Sequence, residues 1–415
     1  MKRVRFKGRL AIFATAIVLS LAAAPNKRSY SPKEKAYYAA NAVVNFVRPG
    51  LVFNLSDAQI AQDGTIMVRV KVTDPQGLPL DRLGVNTPGV VALSFIAATI
   101  PKGQTQYTAY TTRTQVSTIR PGASAVQPAA DTGGTFTTNS DGDYTYKFGI
   151  KAPAAFDASA THTIGVYGSR DLSLFDLGTN FASAQLNFVP NGSTVMTVRD
   201  VVKDASCTRC HDIIAFHGGS RVGVATCVLC HTPQNTDPDT GNSVNFPVLI
   251  HKIHFGSGLP SVRDGKPYQI IGFQNAVSDW SDIIFPPDPG GNLGTNSVTG
   301  KSIVNGGVRR CEVCHDQNNG ATQAANYLTN PTQAACGACH DNVNFATGEN
   351  HVSLPQPDDN QCKTCHTPQG ELEYDASIKG AHTLATESSQ LAGVNFQILK
   401  VNGTAGSKPT VTFTV

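Results

Sequence analysis

The chain has 415 residues, 15% of them charged and 40% hydrophobic, and its formal net charge is +3. This length is enough for two or three domains. Acidic and basic residues are nearly balanced and no basic cluster occurs after residue 9. Nucleic acid is therefore not expected as a partner.

Residues 1–24 have the pattern of a secretory signal peptide. Five basic residues precede an apolar run from Leu10 to Ala24 that is too short for a comfortable membrane span. Cleavage is expected near Ala22 or Ala23, with a retained N-terminal anchor as the alternative, and it would change the formal charge to −2. No later apolar run has membrane length, and no cysteine follows this one to carry a lipid anchor. The mature chain is therefore expected to be exported, to the cell surface, the outer membrane or the periplasm.

Residues 25–50 are predicted to form a linker helix. Ser31 to Glu34 has the spacing of a capping box with proline at the first helical position, and Pro49-Gly50 ends the segment.

Residues 51–195 are predicted to be an all-β domain, a split barrel or a sandwich. Apolar residues alternate with polar ones over 66–72 and again over 144–150, and Gly-containing turns separate seven or eight such runs. Residues 121–130 are expected to be a loop. His162 is interpreted as an ordinary strand residue. Because no paired carboxylates, nucleophile elbow or phosphate loop occurs here, the domain is expected to be a scaffold or a docking surface.

The ten cysteines follow one pattern, Cys-x-x-Cys-His, which is the attachment signature of c-type haem. Each thiol would form a thioether to a haem vinyl group, and the histidine would be the proximal iron ligand. Zinc sites built from two cysteine pairs cannot use five pairs evenly, and disulfides need no histidine. We therefore expect five covalently bound haem c groups, attached at Cys207, Cys210, Cys227, Cys230, Cys311, Cys314, Cys336, Cys339, Cys362 and Cys365.

The haem-binding region, residues 196–387, is expected to be loop-rich and mainly helical. It is rich in Gly, Pro, Asn and Asp, and it is too short to build an ordinary side-chain core around five macrocycles. The haems themselves should form much of its core.

The histidine count predicts two imidazole ligands for every haem. All three methionines lie outside the haem-binding region, and after His162 is set aside ten histidines remain. His251 and His254 are three residues apart on one helix face and should serve two neighbouring haems. The proximal ligands are His211, His231, His315, His340 and His366, and the distal ones are His217, His251, His254, His351 and His382. A six-coordinate iron has no open position for substrate, so we expect an electron carrier without catalytic residues.

The chain resembles the OmcA/MtrC family of outer-membrane multihaem cytochromes. The matching stretches are VKVTDPQGLPLDRLGV, DGDYTYKFGIKAP, THTIGVYGSR, CHDIIAFHGGSR, CVLCHTPQ and FPVLIHKIHFGSGLPSV. The resemblance implies a split β-barrel followed by a pentahaem domain, with electron transfer to metal oxides, flavins or partner redox proteins, a porin–cytochrome complex among them. It implies the same five distal histidines. The chain has five motifs where the family usually has ten, and no lipid-anchor cysteine.

The C-terminal segment, residues 388–415, resembles the start of the β-domain. Gly393 to Val415 aligns without gaps onto Gly50 to Val72, which predicts a β-hairpin that begins a truncated second β-domain. The chain would then be half of a split decahaem protein, with a second pentahaem half as partner, or the hairpin would pair with another β-domain.

Two functions remain as alternatives to a pentahaem electron carrier. One is a multihaem reductase with one open-coordination haem, although none of the five motifs is altered. The other is a subunit of a haem filament. Enzymatic activity is expected to be dissimilatory metal reduction at most.

Overall fold

The computed structural model describes residues 30–295, 302–384, 388–390 and 396–415. The predicted signal peptide and Gly393, where the internal similarity starts, lie outside these residues. None of the described helices is both long enough and apolar enough to cross a membrane.

Two short helices, α1 (Lys35–Tyr38) and α2 (Asn41–Val47), occupy the predicted linker. Half of the capping box forms, because the Ser31 amide donates to Glu34 Oε2 at 2.8 Å. The prediction of one helix was wrong, because Ala39 and Ala40 are extended and divide it. Val47 is buried against Leu172 and Leu177, so the linker packs on the loop that follows the longest strand.

Ten strands follow, more than the seven or eight predicted. They are β1 (Val52–Ile60), β2 (Thr65–Thr73), β3 (Val91–Ile100), β4 (Thr108–Ala109), β5 (Thr112–Val116), β6 (Ser124–Pro128), β7 (Thr135–Ser140), β8 (Asp143–Lys151), β9 (Thr161–Asp171) and β10 (Thr179–Phe188). One sheet has the order β1-β2-β8-β7 and a second has the order β10-β9-β3-β4, while β5 and β6 form a separate hairpin. Within the described residues the sheets do not close into a barrel.

The alternating side chains of both sheets meet in one core. Val68 and Val70 of β2 are fully buried, and they share a cluster with Phe95 of β3 and Val166 of β9. Phe95 also stacks on Tyr146 with ring centres 4.0 Å apart. The inward-facing sets predicted from the period-2 pattern are therefore confirmed.

The prediction of a loop over residues 121–130 was wrong, because part of this segment belongs to the hairpin β5–β6. Residues 121–130 were expected to be a loop, but Ser124 to Pro128 pairs with Thr112 to Val116. The hairpin is polar and gains support from the haem-binding region, because Asp239 Oδ1 accepts hydrogen bonds from Ser117 Oγ at 2.7 Å and from the Thr118 amide at 2.8 Å. This tertiary support has no local sequence signal.

The region after residue 196 is loop-rich, as predicted, but it is not mainly helical. Its helices are few and have four to ten residues, because the Gly-, Pro- and Asn-rich segments between the motifs favour turns. They are α3 (Asp204–Cys207), α4 (Val224–Cys230), α5 (Phe246–Phe255), α6 (Pro260–Arg263), α7 (Asn326–Thr329), α8 (Gln333–Cys339), α9 (Cys362–Cys365) and α10 (Ile378–Ala381). Short two-stranded ribbons connect them: β11 (Ala215–Phe216) with β12 (Arg221–Val222), β13 (Gln269–Ile271) with β14 (Val277–Asp279), and β15 (Pro287–Thr295) with β16 (Ser302–Gly306).

The outer face of the second sheet packs directly on α4. Leu229 of α4 is fully buried and lies over Gly165 of β9, where an added Cβ would come within 2.4 Å of Leu229 Cδ1. Ile96, Tyr167 and Val228 belong to the same buried cluster. The helix of the second motif is thus seated on the β region by apolar contact.

The C-terminus forms the predicted hairpin, from β17 (Gln397–Asn402) and β18 (Thr410–Thr414). Its register matches that of β1–β2, because Ile398 pairs with Phe413 as Leu55 pairs with Val70. Both hairpins also have an irregularity close to that pair, after Ile398 in β17 and after Ser56 in β1. Exposure differs sharply, since Ile398 is 67% exposed and Leu55 is 8% exposed.

Candidate multihaem site

All five Cys-x-x-Cys-His motifs form the same helical turn. In each, the histidine amide donates to the carbonyl of the first cysteine, at distances of 2.8 to 3.0 Å. One turn places the two thiols and the imidazole on a common side of the backbone. The motif therefore has the local geometry that a doubly attached, proximally ligated haem requires.

The ten cysteines are free thiols in the described structure. Burial raises the pKa of several of them, to about 12 for Cys227 and Cys339 and to about 11 for Cys207 and Cys311. These four thiols are thus protonated near pH 7.

One continuous cavity of about 2920 Å³ runs through the region and is lined by all ten cysteines and by the ten predicted histidine ligands. Pockets for a single small ligand measure roughly 300–1,000 Å³. The volume and the lining therefore fit several large covalently attached groups.

Each motif histidine faces one predicted distal histidine. Two imidazoles on opposite sides of one metal ion have ring centres roughly 6–6.5 Å apart, given metal–nitrogen bonds of about 2.0–2.1 Å. The observed distances between ring centres are 6.2 Å for His211–His254, 6.0 Å for His231–His217, 6.3 Å for His315–His251, 6.3 Å for His340–His382 and 6.0 Å for His366–His351.

Backbone carbonyls orient five of these imidazoles through Nδ1. A carbonyl partner makes Nδ1 the protonated nitrogen and leaves the Nε2 lone pair for a metal. The pairs are His231 with Val244 O, His254 with Ile250 O, His351 with Leu354 O, His366 with Ala376 O and His382 with Ile378 O, at 2.7 to 3.0 Å.

Helix α5 carries two of the predicted distal ligands. His251 and His254 face different motif histidines, His315 and His211, as expected for residues three apart. Lys252 between them forms an ion pair with Asp341 at 2.5 Å, and Asp341 also accepts from Ser261 Oγ at 2.6 Å. This buried bridge fixes α5 against the fourth motif.

His217 lies on a tight turn between the first two motifs. Its φ of 54° is in the left-handed region, and Gly218 and Gly219 continue with positive φ. The turn directs the imidazole to His231 and not to the His211 that precedes it closely in sequence. Burial, followed by the charge of Arg221, lowers the pKa of His217 to about 4, which keeps the imidazole neutral and able to bind a metal.

Hydrogen bonds between residues in or beside the motifs indicate the order of the motifs in space. They join the second motif to the first, the first to the third and the fourth to the fifth, through Val224 N to Asp204 Oδ1, Arg209 Nη1 to Val313 O and Gln333 N to Asp359 Oδ1, at 2.7, 3.3 and 2.8 Å. Helix α5 links the third motif to the fourth, because its His251 faces His315 and its Lys252 pairs with Asp341. The second motif is thus next to the first, followed by the third, fourth and fifth.

His162 lies outside this cavity, as its interpretation as a strand residue requires. It is fully buried in β9, its Nε2 is 2.8 Å from Tyr110 Oη and its Nδ1 is 3.0 Å from the Ala160 carbonyl. Both ring nitrogens therefore have protein partners.

Several residues that line the cavity were not among the residues predicted for the site. Tyr167 comes from β9, and Arg199, Arg221 and Arg263 are arginines without a repeated motif. Their only sequence signal is the position of Arg221 at the end of the His217-Gly-Gly-Ser turn.

Comparison with known proteins shows similarity to multihaem cytochromes. The family described as outer membrane cytochrome MtrC/MtrF-like, domains II/IV, matches residues 199–382. The multiheme cytochrome MtrC of Shewanella baltica (strain OS185) is 24% identical over 376 residues, which are 86% of this chain and 48% of that protein.

Two solved structures share the fold. The crystal structure of the outer membrane decaheme cytochrome OmcA has a TM-score of 0.57 and 22% identity, and the match covers 80% of this chain and 48% of that one. The structure of MtrC from Shewanella baltica OS185 has a TM-score of 0.50 and 23% identity, over 77% of this chain and 44% of that one. The chain thus spans about half the length of these relatives, and it is similar to the OmcA/MtrC family of multihaem c-type cytochromes.

Proposed function

We propose that this protein carries electrons through five c-type haems, each held by two histidines. The observation that supports this most strongly is the set of five motif–distal histidine pairs, with ring centres 6.0 to 6.3 Å apart, along one cavity. Haem iron supplies a one-electron ferric/ferrous couple. The chain's own residues attach, orient and enclose it.

The ten motif cysteines are the proposed attachment points, and the ten facing histidines are the proposed axial ligands. With both axial positions filled by imidazole, no position remains for a substrate, so the proposed role is transfer and not bond chemistry. Two imidazoles also favour a lower reduction potential than a methionine–histidine pair.

The order of the motifs in space supports a linear relay. We propose that electrons pass along the sequence second, first, third, fourth and fifth motif, in either direction. His251 and His254 on α5 would draw the first and third haems together, because one short helix then carries a ligand of each.

The proposed domain division is the one that the sequence predicts. Residues 1–24 are a signal peptide, 25–50 a linker, 51–195 a β-domain, 196–387 a pentahaem domain and 388–415 the first hairpin of a second β-domain. The β-domain is a two-sheet or split-barrel scaffold that seats α4, and the hairpin is a candidate site for joining a second pentahaem half.

The proposed setting is extracellular or outer-membrane electron transfer. The relatives are described as outer membrane cytochromes, and this chain would exchange electrons with metal oxides, flavins or partner redox proteins, including a porin–cytochrome complex. The polypeptide would reach these partners after export.

The experiment is haem quantification and spectroscopy of the exported, haem-loaded protein. A pyridine haemochrome assay should give five haem c per chain, and ferric-state electron paramagnetic resonance should show only low-spin signals. Replacing His382 by alanine should convert one of the five signals to high spin, while replacing His162 should convert none. A high-spin fraction in the unmodified protein would contradict the proposal and favour the reductase alternative.

A further inference from the structure

Arg221 lies where the β region meets the cavity, and Tyr167 of β9 holds it. Its guanidinium carbon is 4.6 Å from the centre of the Tyr167 ring, and Nη2 donates to Tyr167 Oη at 3.1 Å. On its other side Nη1 donates to Ser220 Oγ at 3.2 Å. Arginine keeps its charge at any ordinary pH, and both partners are neutral, so a full positive charge is fixed at this place.

This charge has no counter-ion within the described part of the chain. The ion pairs there involve other side chains, and none joins a carboxylate to Arg221 at 4.0 Å or less. Arg221 and Tyr167 both line the haem cavity.

Arg221 is close to the second motif's site. Ser220, which accepts from Arg221, donates to the His217 carbonyl at 3.0 Å, and the His217 ring faces that of His231. Arg221 lines the same cavity as these two histidines and Cys230.

We propose that Arg221 raises the reduction potential of the haem attached at Cys227 and Cys230 above the value that its two histidines alone would give. This inference rests on the proposed function, because it needs a haem between His217 and His231. Uptake of one electron converts ferric to ferrous haem and removes one positive charge from the site. A fixed neighbouring cation therefore favours the reduced form.

Arg221, Cys230 and His231 are half-buried, which strengthens the effect. The interaction of two charges grows as water is excluded, and salt screens it less than it screens exposed pairs. If a haem propionate pairs with Arg221, the direction is unchanged, because the arginine then offsets a negative charge that would otherwise favour ferric iron.

The location gives the effect a role in the relay. The second motif is at one end of the motif order, next to the β region, and Tyr167 ties the arginine to that region. Arg221 therefore favours the reduced form of the haem at the end of the relay that meets the β region. Because Tyr167 of β9 holds Arg221, the reduction potential of this haem depends on the packing of β9 against the haem-binding region.

The test is potentiometric titration of the haem-loaded protein, with Arg221→Gln compared with the unmodified chain. Optical spectra follow the five one-electron components, and electron paramagnetic resonance at poised potentials follows the low-spin signals. One component should move to lower potential in R221Q. Lys147→Gln, which removes an exposed charge from β8, is the matched control and should move none.

A second variant tests the same charge without removing the arginine. Ser220→Asp places a carboxylate beside Nη1 and should move the same component in the same direction, so the inference stays testable if R221Q does not accumulate. Unchanged potentials, or a shift to higher potential, in a variant that retains five low-spin haems would overturn the inference and leave the proposed function intact. Fewer than five haems in the unmodified protein would instead contradict the proposed function.

Discussion

The two halves of this protein differ in what fills their interiors. The β region is filled by its own side chains, with Val68, Val70 and Val166 fully buried between two sheets. The region after residue 196 surrounds a cavity of about 2920 Å³, and its elements are mostly short helical turns. Short helices are marginal in water without tertiary support. The first region thus carries its folding information in side-chain packing, whereas the second needs the groups that its motifs attach.

The sharpest test of this difference is a chain that cannot attach haem. Replacing all ten motif cysteines by alanine should leave the β region folded and the second region unfolded. Only the second region loses groups that fill its interior, the attached haems. Limited proteolysis with mass spectrometry should give a resistant fragment ending near residue 195 and rapid cleavage within 196–384. The exported haem-loaded chain is the control. If both regions of the cysteine-free chain resisted proteolysis equally, the second region would not depend on attached groups for its fold.

The features that could be predicted from the sequence are those with a local or repeated pattern. The strands of β2 and β8 were predictable because a period-2 pattern is local, and the motifs because attachment chemistry requires a fixed spacing. The C-terminal hairpin and its register followed from an internal similarity to β1–β2.

The parts that were missed depend on contacts distant in sequence. Hairpin β5–β6 is held by Asp239, more than a hundred residues later, and nothing within 112–128 indicates it. The ten histidines were identifiable by counting, but their partners were not, since His217 faces His231 only because of a turn at Gly218 and Gly219. Arg221 was missed for the same reason, because it is held in place by Tyr167, a residue of the β region.

A single core substitution should affect the β region strongly. Phe95 is 1% exposed and stacks on Tyr146, so Phe95→Ala should cost about 3–5 kcal/mol in the free energy of unfolding of that region. Urea unfolding followed by far-ultraviolet circular dichroism measures this. Leu174→Ala, at a side chain that is 96% exposed, should stay within about 0.5 kcal/mol of the unmodified chain. The haem count should remain unchanged in both variants, and loss of haem in F95A would show that the regions are less independent than their cores indicate.

The smallest effect expected is a pH-dependent one between the two inner strands, β2 and β8, of the β region's first sheet. Arg69 donates from Nε and Nη2 to the Asp143 carboxylate at 2.8 and 2.6 Å, and this pair, opposed by burial and aided by Asn139, lowers the pKa of Asp143 from 3.8 to about 2. Because the pKa is lowered in the folded state, the stabilisation is complete above pH 4 and is lost as the pH falls towards 2. Asp143→Asn should therefore cost about 1–2 kcal/mol at pH 7, a value reduced by the partial exposure of Arg69.

Urea unfolding at pH 7 and at successive values down to pH 2 measures this dependence. The difference between D143N and the unmodified chain should shrink steadily below pH 4. Asp63→Asn is the matched control, because the Asp63–Lys151 pair is 59% exposed on both sides and should contribute little to stability at any pH. A D143N effect that is independent of pH would mean that packing at Asp143, and not its charge, supports the sheet. In that case even the polar Arg69–Asp143 contact would stabilise the β region through side-chain packing. The β region would then differ still more from the second region, whose stability depends on its attached groups.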